Sequence, residues 1–126
     1  MAATVTISET KYAPIKKIAW YWIAHTDGVV ATTTTNCETT NYYTGEIVRL
    51  VTVPKSDNAP SDNYTVKVYD DDDTDVLMGA ANANRDTANT EQVLASSLGV
   101  VVASKLTLYV SGAGSGNAGY VYLYVR

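Results

Sequence analysis

The chain has one cysteine, one histidine, three prolines and no phenylalanine in 126 residues. A lone Cys37 rules out an intrachain disulfide framework, so the fold must stand on packing and on its hydrogen-bond ladders. A lone His25 leaves little room for the histidine-centred chemistry of triads or zinc sites. Basic residues are also few. The net charge is −4, and the one adjacent basic pair is Lys16-Lys17, which is no phosphate-neutralising patch; this argues against a nucleic-acid partner. No stretch approaches the about 18 apolar residues of a membrane helix. The polar segment from Met1 to Lys11 has no apolar core of signal-peptide length, which predicts synthesis in the cytoplasm and no membrane partner.

What is present points to β structure. Hydrophobic residues make up 46% of the chain, a globular composition of single-domain length, so residues 1–126 are read as one domain. Leu and Ile are scarce. Val, Thr and Tyr carry the sequence, and they suit a pleated, half-buried surface. Thr4 to Glu9 alternates with period two. In Ile15 to Thr26, Ile18, Trp20 and Trp22 share one parity and Ala19, Tyr21 and Ile23 the other, as in a central strand covered on both sides. That parity also predicts that both tryptophans lie in the core. Asp27-Gly28 is a turn signal, and Val29 to Thr35 reads as the returning strand of a hairpin. Asn36 to Tyr43 reads as a loop, Glu46 to Val53 as a strand stopped by Pro54, and Lys55 to Asn63 as a second loop. Tyr64 to Tyr69 is a strand, and after the acidic turn Asp70 to Asp73 a short return strand is expected over Thr74 to Met78. Gly79 to Gln92 is the least β-like stretch, and Val93 to Ala103 is ambiguous between strand and helix. Lys105 to Ser111 and Tyr120 to Val125 are strands flanking the Gly-rich turn Gly112 to Gly119. Seven to nine short strands spaced by turns predict an all-β, antiparallel, jelly-roll-like sandwich.

Each candidate site has a plainer explanation beside it. Asp71, Asp73 and Asp75 have the spacing that opens a calcium loop, but Val76 stands where the turn needs Gly and Asn82 where a bidentate Glu belongs. Asp70 to Asp75 therefore reads as a solvated turn, with a weak surface cation site as the alternative. His25 beside Asp27 reads as a surface pair, and Cys37 as an inert thiol. Gly112-Ala113-Gly114-Ser115-Gly116 lacks the helix a phosphate loop requires. Asn63-Tyr64-Thr65 matches a glycosylation sequon by chance. No catalytic residue, metal ligand or cofactor is assigned, and the chain is not read as an enzyme.

One feature remains. Tyr120, Tyr122 and Tyr124 share one parity of the last strand, while Val121, Leu123 and Val125 form the natural core face. Three outward tyrosines would make an amphipathic patch of the kind enriched at protein contacts. The competing reading covers this strand on both faces within the fold.

Four segments carry a resemblance: Tyr43-Thr44-Gly45-Glu46-Ile47-Val48-Arg49-Leu50, Ala59-Pro60-Ser61-Asp62-Asn63-Tyr64-Thr65-Val66, Asn84-Arg85-Asp86-Thr87-Ala88-Asn89-Thr90-Glu91-Gln92-Val93, and Ser104 to Arg126. In texture and order they resemble the small cement, decoration or head-stabilising proteins of tailed bacteriophages, over about the last two-thirds of the chain. The resemblance implies a sandwich on the capsid exterior, bound over joints between major capsid protein subunits as a homo-oligomer, a dimer or trimer. It supplies no functional residues. A tail, neck or fibre-base component of the virion is the first alternative. A carbohydrate-binding sandwich using Trp20, Trp22, Tyr42 or Tyr43 is the second.

Overall fold

In a computed structural model, which describes residues 2–126, the chain is an all-β antiparallel sandwich. Eight strands are described: β1 (Thr4–Tyr12), β2 (Ile15–Ile23), β3 (Tyr43–Pro54), β4 (Thr65–Tyr69), β5 (Glu91–Leu94), β6 (Val101–Ser104), β7 (Thr107–Ser111) and β8 (Ala118–Val125). A single 3-10 turn, Ala95–Ser97, separates β5 from β6. The larger sheet runs in the order β1-β2-β8-β3-β5, with β6 pairing the first residues of β3. The smaller sheet is β4-β7. The last strand therefore returns to the middle of the large sheet, between β2 and β3.

Period-two burial explains why these segments are strands. On β2, Ile18, Trp20 and Trp22 are fully buried, while Ala19, Tyr21 and Ile23 are half-buried. On β8, Val121, Leu123 and Val125 are fully buried and the three tyrosines are half-buried. These stripes face the small sheet, where Val66, Val68, Leu108 and Val110 complete the core. The expected burial of both tryptophans is observed. Trp20 also donates its Nε1–H to the Cys37 carbonyl at 3.0 Å, tying the loop after β2 to the sheet that carries it. Burial of large aromatic side chains at about 25 cal/mol per Å² makes this stripe a principal source of stability.

Gly119 makes room for one of these rings. It sits opposite Trp22 in the β2–β8 register. A Cβ there would lie 2.9 Å from Trp22 Cζ2 and 2.9 Å from the Val53 carbonyl oxygen. Gly45, at φ 142°, similarly allows β3 to pass the Arg126 carbonyl, which a Cβ would approach to 2.5 Å.

Three sequence expectations need correction. Val29 to Thr35 is not a strand. Val30 alone forms a bridge, exchanging both backbone hydrogen bonds with Val110 of β7, before the chain turns between Ala31 and Thr34. Thr74 to Met78 is not a strand either. Asp75 bridges Tyr69, and the chain then winds through successive turns to Asn82. These two irregular segments still flank the small sheet, one beyond β7 and one beyond β4. Gly79 to Gln92, read as least β-like, ends in the first two residues of β5, and Val93 to Ala103, read as strand or helix, holds the rest of β5 and most of β6. Both are short strands held on opposite ends of β3, which runs from Tyr43 and is longer than the Glu46 start expected for it.

Candidate functional site

The antiparallel registers set which side chains share the outer face of the large sheet. Ile15, Lys17, Ala19, Tyr21 and Ile23 of β2 face outward with Tyr120, Tyr122 and Tyr124 of β8 and with Arg49, Val51 and Val53 of β3. The small sheet covers only the opposite face. The three predicted tyrosines are thus brought together on an outer surface of the sandwich, each half-buried by its neighbours.

Their rings form a continuous row. Tyr120 stacks on Tyr21 with centroids 4.8 Å apart and leans on Tyr122 at 6.2 Å. The Lys17 ammonium lies 4.3 Å from the Tyr122 centroid and 5.8 Å from that of Tyr124. The Arg49 guanidinium carbon lies 5.1 Å from the Tyr124 centroid. Cation–π attraction of this kind contributes about 0.5–1 kcal/mol at exposed sites and spreads the aliphatic stems over the rings. The row is therefore a pre-ordered surface with few rotamers left to freeze on contact, which lowers the entropic cost of docking.

The two ends of the row differ. Beyond Tyr21, Lys55 interacts with the tyrosine hydroxyl and pairs with Asp57 at 3.4 Å; that hydrogen bond, with the nearby Asp57 charge, holds the ammonium above its ordinary value. The loop after β3 also closes over this end, where Ala118 donates its backbone N–H to the Asn58 carbonyl. The far end is open. Tyr12, Ile15, Val48, Arg49 and Tyr124 line an apolar hollow of about 430 Å³, with Tyr12 60% exposed. The sequence showed the tyrosines by parity alone. It did not show Lys17, Arg49, Tyr21 or Tyr12 beside them, because those come from strands whose pairing the sequence leaves open.

The remaining candidates do not assemble into a reactive centre. His25 Nδ1 lies 3.2 Å from Asp27 Oδ1, and both side chains are exposed. Cys37 is fully buried, and burial pushes its thiol up to about 11, away from the thiolate a nucleophile needs. In the acidic segment, Asp70 Oδ1 accepts from the backbone N–H groups of Asp72 and Thr74, and Asp75 accepts from those of Val68, Leu77 and Gly79. These two carboxylates act as turn caps. Among the described residues, no three His, Cys, Asp or Glu side chains form a metal-holding group. The rings proposed for sugar stacking are largely unavailable: Trp20 and Trp22 are fully buried and Tyr43 is buried, leaving Tyr42 exposed by itself.

Glu9 is a structural hub. Its carboxylate accepts from the backbone N–H groups of Thr40 and Asn41, from the Asn41 side-chain amide, and from the Tyr43 hydroxyl at 2.7 Å. Partial burial raises this carboxyl, but the hydrogen bonds from Thr40, Tyr43 and Asn41 outweigh burial and hold it below its usual value. The same contact, added to burial, raises the Tyr43 phenol. Glu9 thus pins the loop 36–42 to β1 at the entry to β3.

No family model matches the chain, and no curated protein and no solved structure matches it.

Proposed function

We propose that this chain is a structural virion protein: a cement or decoration protein on the outside of a tailed-phage head, stabilising joints between major capsid protein subunits. The observation that carries the reading is the outer tyrosine face of the large sheet. It is a pre-ordered aromatic and cationic surface on a rigid sandwich, and its tyrosines and Arg49 are of the types enriched at protein contacts. Such a clamp needs no nucleophile, metal or cofactor. It needs a scaffold, an anchoring face and many copies, whose weak contacts add through avidity. The segment resemblance described above supports the same reading and favours the head over the tail, neck or fibre base.

The test is made on the particle. Heads assembled without the protein should lose integrity at lower temperature, in chelator or at low ionic strength, and adding back the purified chain should restore them. Heads of unchanged tolerance would refute a cementing role.

A further inference from the structure

We propose that the tyrosine face of one copy docks on the acidic end of the small-sheet layer of a second copy, so that the chain self-associates head to tail. This rests on the reading of that face as a protein-contact surface and names its partner.

Charge complementarity carries the assignment. The net charge is −4, yet the open end of the tyrosine face is cationic. Lys17 and Arg49 lie on either side of Tyr124 in the register, and among the described residues neither has an ionic partner. The outward positions of β1, β2, β5 and β8 hold no Asp or Glu. On β3 the outward acid is Glu46, which lies past the irregularity at Val48 and exchanges backbone hydrogen bonds with Arg126. The opposite layer carries Lys67 on the outer side of β4 but is acidic at one end. Glu38, Asp70, Asp71 and Asp73 line one hollow of about 230 Å³ with Tyr69 and Thr107. Glu38 and Asp71 are exposed, and none of the four has an ionic partner among the described residues.

Two copies meeting face to face would set Lys17 and Arg49 against themselves. A heterologous contact instead brings the cations of one copy to the acidic hollow of the next, and it closes into a ring where the rotation permits. The five paired strands present a face of about 700 Å² by strand spacing and rise. That is below the about 800 Å² per partner of a standard interface. The contact is therefore weak in dilute solution and becomes lasting only among many copies held on a shell.

Sedimentation velocity on the purified full chain tests this. The wild type should sediment faster with rising concentration at about 50 mM salt, and this should be suppressed at about 500 mM, where the screening length is short. Two variants are compared: Lys17→Glu with Arg49→Glu, and Glu38→Lys with Asp71→Lys. Each alone should weaken association by roughly tenfold or more, and an equimolar mixture should restore it, because opposite charges again meet at both contacts. Single substitutions Arg49→Glu and Asp71→Lys serve if a double variant unfolds. A monomeric wild type at all concentrations, salt-insensitive association, or a mixture that stays apart would each overturn the proposal. If the chain is monomeric yet abundant on heads, this inference fails and the cement reading stands. If it is absent from particles, the cement reading fails whatever the sedimentation shows.

Discussion

Substitution of Gly119 by Ala probes how closely the last strand is fitted to the core. The new methyl would sit 2.9 Å from Trp22 Cζ2 and 2.9 Å from the Val53 carbonyl oxygen. Trp22 is fully buried and also packs against Tyr64, with ring centroids 5.7 Å apart, so it has little room to retreat. Overpacking of this kind costs about 1–3 kcal/mol. Losing the glycine's unfolded-state freedom returns about 0.4–1 kcal/mol. The net cost then lies between about 0 and 2.6 kcal/mol and centres near about 1.3 kcal/mol, a fall in Tm of roughly 5 °C for a domain of this size. Thermal unfolding followed by tryptophan fluorescence measures it. A Trp22→Phe background separates the two contacts. Phe lacks Cζ2, and Trp22 Nε1 has no hydrogen-bond partner to lose. In that background Gly119→Ala should cost about 1 kcal/mol less, while the contact with Val53 persists. An identical cost in both backgrounds, or a raised Tm when Gly119→Ala is made in the wild type, would refute the reasoning.

Two further outcomes follow from the other buried contacts. Glu9 has a depressed folded-state pKa, so its contribution is fully present above the unfolded value near 4.3 and is lost as pH falls through the folded value. Glu9→Gln should lower stability at pH 7 by about 1 kcal/mol, discounted for partial exposure, and flatten the acid limb of a stability-versus-pH curve below about pH 5; a variant with the wild-type acid limb would contradict the hub. Cys37, buried and raised to about 11, should react with a thiol reagent only as fast as the protein opens, so a stoichiometric burst in native buffer would place it at the surface.

Local alternation was enough to read the strands whose partners bury a full stripe. Ile18, Trp20 and Trp22, and likewise Val121, Leu123 and Val125, state their own inward face. It was not enough where pairing, rather than pattern, makes the strand. β5 alternates only between half-buried and exposed, and β6 alternates fully but over four residues; each is paired by one stretch of β3 rather than marked by a long pattern of its own. The converse error came from composition. The threonines of Val29 to Thr35 suit a strand, but hydrogen bonds from Thr34 to Ala31 and from Cys37 to Thr34 turn the chain after Val30 has met β7. The tyrosine row was visible as parity on one strand. Its cations, and the hollow at its open end, come from β1, β2 and β3 and emerged only with the register.

The cement reading stands most directly on abundance. Quantitative mass spectrometry of purified particles, with the major capsid protein as the internal reference, gives copies per head. A protein whose contacts hold by avidity across a shell should be present at on the order of hundreds of copies per particle. A handful of copies would assign it to the tail, neck or fibre base, and none at all would contradict a virion role.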